Sequence, residues 1–181
     1  GTVVWMTQAA AKFASFEGDP AALATVIGLS VDDLRTDLPI VYGSTGLWTL
    51  IVPVTGLDAM RRMRPANTRF PDILTQMPRA SVHPMCIETT DPAADMHGRH
   101  FSSPYSGTVE DPVTGTASGV MGAYYAKYMA RQEGEVSLVV EQGQEIGRDG
   151  RVRVEVTAYG GEFRVRIGGT AVHVADMQIA L

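Results

Sequence analysis

The chain has one cysteine, Cys86, in 181 residues. It cannot close an internal disulfide, which fits a reducing compartment such as the cytoplasm. Cations are outnumbered: 15 Lys and Arg stand against 20 Asp and Glu, a formal net charge of −5. A nucleic-acid groove or an anionic lipid surface rewards clustered Lys and Arg, so neither partner is expected. No apolar run reaches the roughly 18 residues a membrane-crossing helix requires. The opening GTVVWMTQAAAKF lacks a basic stretch followed by a long apolar core, so it does not read as a signal peptide. It reads as strand almost from its first residue. A chain that opens in mid-strand is expected to be a fragment or one piece of a split protein.

What is present is apolar content, at 45 %, enough for a buried core in one domain or two small lobes. Residues 2–6 are β-branched and alternate, as a strand does. DPAALATVIGLSVDDL predicts a short helix from about Ala21, stopped at Gly28. Ser30 and Asp33 then have the spacing of a capping box. TGLWTLIVPV (45–54) predicts a strand buried on both faces. Helical pieces broken by Pro65 and Pro71 follow. SVHPMCIETT (81–90) predicts a strand despite Pro84, and TDPAADMHGRH a loop. The longest regular element is a helix over about 116–132. After it come EVSLVVEQG, the strictly alternating RVRVEVTAY, EFRVRIGG and TAVHVADMQIAL, all read as strands, with RDGR and YGGE as hairpin turns. Strands, one long helix and strands again make an α+β fold with a mixed or antiparallel sheet. The helix is apolar nearly all round, with a small-residue stripe at Gly119, Ala123, Ala126 and Ala130. It is therefore a buried helix, and a sheet curled about it is the economical arrangement.

The entrance to that helix, VEDPVTGTASG, carries the chemistry. Pro112 holds Asp111 extended, and Gly115 permits a turn. The amides of Gly115, Thr116 and Ala117 leave the helix start without internal partners. With the positive end of the helix dipole they suit a carboxylate or phosphate. Thr114 and Thr116 add hydroxyls, and Asp111 lies one turn away. Spacing alone leaves a second reading open, in which Asp111 and the threonines only cap the turn and the helix. His97 and His100 in HGRH are spaced like a metal pair, but no third ligand is nearby and a solvated loop is the expectation. His83 and His173 read as ordinary sheet residues, Cys86 as a buried thiol, and Trp5 and Trp48 as core.

EDPVTGTASG resembles the EDPVTGSA signature of the PhzF-like (phenazine biosynthesis-like) family. EQGQEIGR (141–148) resembles that family's second signature, and MTQAAAKF and IGGTAVHV resemble its flanking segments, in the right order over most of the chain. The resemblance implies the diaminopimelate-epimerase-like fold. There two similar lobes each curl a sheet about a central helix, and the active site lies between them. On that pattern residues 1–15 are the strand entering from a first lobe, 16–167 the second lobe, and 168–181 a strand returning to the first. The family's catalytic Glu and GHAT-like helix start, carried by the first lobe, have no counterpart in these residues.

The resemblance also implies roles. Asp111 matches the family's active-site Asp. Thr114, Gly115, Thr116 and Ala117 are the substrate-binding candidates, with Thr116 where the family usually has Ser. Arg99 and Phe101 match an R-x-F segment, for structure or for substrate contact. The implied activity is an isomerase that shifts a proton on a small carboxylic acid without metal or organic cofactor, this chain supplying half of an interlobe site and being inactive alone. Its implied partner is the missing first lobe, or a second chain in a homodimer or split assembly. The alternative from another class is a catalytically inert binding or assembly module of the same fold.

Overall fold

RVRVEVTAY folds as its alternation demands: Val152, Val154, Val156 and Ala158 are buried, and Arg153 and Thr157 are exposed. The computed structural model describes residues 2–179. In chain order the elements are β1 (Val3–Thr7), β2 (Lys12–Ser15), α1 (Pro20–Val26), β3 (Val41–Ser44), β4 (Trp48–Pro53), α2 (Leu57–Arg62), α3 (Phe70–Ile73), β5 (Ser81–Cys86), β6 (Met96–Gly98), β7 (His100–Phe101), β8 (Glu110–Asp111), α4 (Gly115–Tyr124), β9 (Gly134–Gln142), β10 (Gly150–Tyr159) and β11 (Glu162–Thr170). They form one mixed sheet in the order β1-β11-β10-β9-β6-β5-β4-β3-β2, with β7 and β8 branching from β5. The β4–β5 and β6–β9 pairs are parallel, and the others are antiparallel.

The two ends of that order belong to one stretch of chain. Between β1 and β2 the amides of Gln8 and Ala11 still donate to Val165 and Phe163 of β11, each at 2.9 Å. The chain then crosses to pair with β3. Residues 3–15 thus bridge both edges and hold the sheet in a curl.

α4 fills the curl, and Ala117 through Tyr124 are all buried. Val120, Met121, Ala123 and Tyr124 pack with Val41, Ile51, Met85, Val140, Val154 and Val165. The packing is tight because the helix presents small residues. A Cβ on Gly122 would lie 2.5 Å from Val154 Cγ1, well inside van der Waals contact. The other face of β3–β5 carries a second core. There Tyr42, Leu50, Val52 and Val82 meet Leu23 of the Asp19-capped α1 and Ile27 at its end, Met60 of α2, and Phe70 of α3. The run 50–54 is apolar because both faces of β4 are covered.

Several local expectations are corrected. The helix does not run regularly to Gln132. From Tyr125 to Ala130 it widens to π geometry, and Arg131 in the left-handed region ends it. Pro71 does not break a helix but sits in the first turn of α3, where its missing N–H costs no bond. HGRH is not a solvated loop, because β6 and β7 occupy it. Residues 171–179 carry no strand: none of the described residues offers them a ladder, and Val172, Val174, Met177 and Ile179 are at least 78 % exposed; the last two residues of the expected strand lie outside the described residues.

The parallel β6–β9 pair places His97 opposite Glu141. His97 Nδ1 is 2.6 Å from Glu141 Oε1 and Nε2 is 3.0 Å from Glu145 Oε1, with the imidazole and Glu141 wholly buried. Only the imidazolium can donate from both nitrogens. The remaining Glu141 capacity is taken by the amides of Thr90 and Asp91, at 2.6 and 3.0 Å. Burial opposes the His97 charge, but the hydrogen bonds to Glu145 and Glu141 outweigh it and raise its pKa above 6.5. Burial likewise opposes ionisation of Glu145, yet the His97 bond holds its pKa below 4.5.

Two predictions follow from this packing. Gly122→Val is expected to destabilise the fold by about 1–3 kcal/mol through overpacking. Unchanged urea unfolding would show that the helix can shift away from β10. The raised His97 pKa means that its contribution is complete below pH 6.5 and lost as pH climbs through the folded value. The depressed Glu145 pKa means that its contribution is present above 4.5 and lost as pH falls through the folded value. Urea unfolding from pH 5 to 9 is expected to show an alkaline decline that is absent in His97→Gln, itself destabilised by about 3–5 kcal/mol. Parallel pH curves for the two proteins would contradict this assignment.

Candidate active site

The adjacent acids at the helix entrance separate in space. Glu110 forms a bidentate pair with Arg99, Nε to Oε1 at 2.8 Å and Nη2 to Oε2 at 2.7 Å. Arg99 is buried, gives its remaining arm to the carbonyl of Met60 at 2.6 Å, and lies 4.8 Å from the centre of the Phe101 ring. Arg99, Glu110 and Phe101 therefore brace β7 and β8 against α2, which supports the structural reading of that segment. Asp111, the next residue along β8, instead lines a cavity of about 730 Å³.

A directed chain of hydrogen bonds orients Asp111. Gln142 Nε2 donates to the Asp111 carbonyl at 2.6 Å and to Thr114 Oγ1 at 3.1 Å. With its lone pair taken, the Thr114 hydroxyl donates onward to Asp111 Oδ2 at 2.6 Å. Asp111 Oδ1 has no protein donor among the described residues. Thr114 occupies the N-cap position, but its side chain does not cap the helix. Its carbonyl takes the first bonds, from the Ser118 amide and hydroxyl, both at 2.9 Å.

The amides of Gly115, Thr116 and Ala117 have no protein acceptor among the described residues. Thr114, Thr116 and Ala117 line the cavity with Asp111. Thr45 Oγ1 holds the Thr116 carbonyl at 3.0 Å and steadies this first turn. Gly115 does not line the cavity. A Cβ there would stand 2.6 Å from Ile167 Cδ1, so this glycine lets the helix start seat against β11. The structure thus brings Asp111, Thr114, Thr116 and Ala117 together and puts Gly115 directly beneath them.

The cavity is also lined by residues whose role is not apparent from sequence. Trp48, expected in the core, lines the cavity beside Met77, Arg79, His100 and Tyr105. The Arg79 guanidinium lies 4.9 Å from the centre of the Tyr105 ring and adds a cation to the cavity. Trp48 on β4, Met77 and Arg79 before β5, and His100 and Tyr105 on and after β7 come from three stretches of sequence. The pairing of Asp111 with His100 across β7 and β8 is likewise invisible without the fold.

Cys86 and His97 do not line the cavity. Cys86 is buried and donates to the Glu88 carbonyl at 3.2 Å; burial pushes its pKa up to about 12, so it stays a thiol. His97 and His100 turn to different partners, Glu141 with Glu145 for one and His83 for the other. Among the described residues no group of three or more His, Cys, Asp or Glu is arranged to hold a metal, and no helix is long and apolar enough to cross a membrane.

Comparison with known proteins agrees with this fold. The family model described as phenazine biosynthesis-like protein matches residues 2–177. The chain is 52 % identical over 170 residues to the uncharacterized isomerase YfhB of Bacillus subtilis, a match covering 94 % of this chain and 57 % of that protein. The crystal structure of the Bacillus anthracis phenazine biosynthesis protein of the PhzF family superposes with a TM-score of 0.91 at 54 % identity, over 99 % of this chain and 61 % of that one. A predicted epimerase from Pseudomonas aeruginosa superposes with a TM-score of 0.68 at 30 % identity, over 92 % of this chain and 55 % of that one. The chain spans little more than half the length of the relatives it matches.

Proposed function

The chain belongs to the phenazine biosynthesis-like protein family, and from that premise we propose that it carries half of the active site of an isomerase acting on a small carboxylic acid. The observation that carries the proposal is the row of unpartnered amides at Gly115, Thr116 and Ala117 beside a cavity that Asp111 also lines. Amides on a positive dipole end suit a carboxylate, and they suit still better the charge that spreads onto it when a neighbouring C–H proton leaves. Asp111, with Oδ2 held by Thr114, aims its other oxygen at the ligand and orients it or relays a proton. The principal base comes from a second lobe facing this one. In this reading residues 1–15 and 168–181 connect the two lobes.

The match to little more than half of each relative supports a site completed by a further lobe. So does the apolar surface on the terminal segments: Val4 and Met6 on the outer strand β1, and Val172, Val174, Met177 and Ile179 beyond β11, are all more than half exposed. Such a surface suits coverage by another lobe or chain.

The site is tested with benzoate as a probe. Titration into the purified chain is expected to shift the amide resonances of Gly115, Thr116 and Ala117, with Asp111→Ala changing the saturating shift. The chain alone is expected to exchange no substrate C–H with deuterated solvent. Benzoate binding without shifts at these amides would sink the proposed site, and proton exchange by the chain alone would make Asp111 the principal base. Light scattering at micromolar concentration is expected to give a mass above the 19.4 kDa of one chain. A clean monomer would show that the apolar strip needs no partner.

A further inference from the structure

Two histidines that the proposed mechanism leaves unused meet at the cavity wall. His83 on β5 is wholly buried. Its Nδ1 lies 3.1 Å from Nδ1 of His100 on β7, the rings tilted by 53° with centres 5.3 Å apart. The second nitrogen of His83, Nε2, lies 2.8 Å from Sδ of Met121 on α4. Gly98 leaves room for that contact: a Cβ there would stand 2.8 Å from His83 Nε2 and 3.1 Å from Met121 Sδ.

The protons in this row can be assigned. A thioether sulfur accepts weakly and has no proton to give. Two lone pairs facing each other at this separation would repel, so His83 Nε2 carries the hydrogen and donates to Met121. A neutral imidazole has one N–H, so His83 Nδ1 is bare and accepts. The hydrogen between the two Nδ1 atoms therefore belongs to His100, which leaves His100 Nε2 as its unprotonated nitrogen. Both rings are neutral near pH 7. Burial, with His100 and His97 nearby, pulls the His83 pKa well below 6.5. Burial also drives that of His100 to about 4 against the opposing pull of Asp111. His100 lines the cavity, and its Nε2 has no protein donor among the described residues. Asp111 stands directly across in the β7–β8 register.

We infer that Met121 and His83 lock the tautomer of His100, so that its bare Nε2 faces the cavity as a ligand-binding hydrogen-bond acceptor. His100 is the residue that touches the ligand, and His83 and Met121 position it. The helix start supplies donors and His100, with Asp111, supplies acceptors. The cavity therefore favours a carboxylate that also carries an O–H or N–H group over one that does not. This inference rests on the cavity being the carboxylate site proposed above.

Two measurements test it separately from that reading. Long-range 1H–15N correlation spectra of the histidine side chains report tautomers without any ligand. At pH 7 the expected result is Nδ1–H for His100 and Nε2–H for His83, with Met121→Leu disturbing the His83 assignment while the backbone spectrum stays folded. An Nε2–H tautomer at His100 overturns the inference. In the second measurement the three monohydroxybenzoates are compared with benzoate. At least one is expected to bind about tenfold tighter, equivalent to about 1.4 kcal/mol, and in His100→Phe that ratio is expected to fall to about one. A gain that survives His100→Phe, or no gain for any isomer when benzoate itself binds, overturns it. Failure of benzoate and all three isomers to bind overturns the carboxylate site instead, and the tautomer spectra still decide the lock.

Discussion

The structure depends on how closely one helix approaches the sheet that encloses it. α4 can lie against β10 and β11 because Gly119 and Gly122 let its backbone come within contact of Val165 and Val154. A helix with larger residues there would need a wider curl, and residues 3–15, tied to both edges, could not span it. The same approach fixes the helix start. Gly115 sits on Ile167, and the next two residues, Thr116 and Ala117, line the cavity. Burying the body of α4 and leaving Gly115 and Thr116 at its start half-buried are two results of one packing constraint.

That constraint explains the division of labour in the Glu110–Asp111 pair. On a two-residue strand neighbouring side chains point to opposite faces. Glu110 turns inward, where a carboxylate survives only with a matched cation, and Arg99 supplies it in bidentate form. Asp111 turns to the cavity and keeps one oxygen unpartnered. Side-chain alternation thus yields one acid for bracing and one that lines the cavity. The Gln142–Thr114–Asp111 chain then sets the direction of the carboxylate, because the amide N–H at its head can only donate.

Much of this was legible in the sequence where the pattern is local. Val152, Val154 and Val156 announced their strand, Ser30 and Asp33 their capping box, and EDPVTGTASG the helix entrance. Non-local partners were not legible. HGRH read as a loop because it is short and polar, yet Glu141, more than forty residues on, makes His97 a core imidazolium. TAVHVADMQIAL read as a strand because its composition suits one, but a strand is defined by its neighbour. Trp48, Arg79, and His100 with Tyr105 reach the cavity from three separate stretches of chain, and no spacing rule connects them. The π-turn over Tyr125–Ala130 had no signal apart from a run of aromatic and small residues.

The helix start and the exposed apolar strip are closer than their sequence positions suggest. Gly115 touches Ile167 on β11, and Ile167 pairs directly with Met6 on β1, which is 62 % exposed. Neighbouring strands lie about 4.8 Å apart, so whatever covers Met6 stands roughly one strand from the residue beneath the open amides. Covering that edge would bury apolar surface and remove water beside the helix start at the same time. In a drier setting the amide dipoles act on a bound carboxylate more strongly than they do in bulk solvent. In the proposed reading, assembly and anion binding are coupled by geometry: the surface offered for association is the one whose burial would strengthen the proposed site.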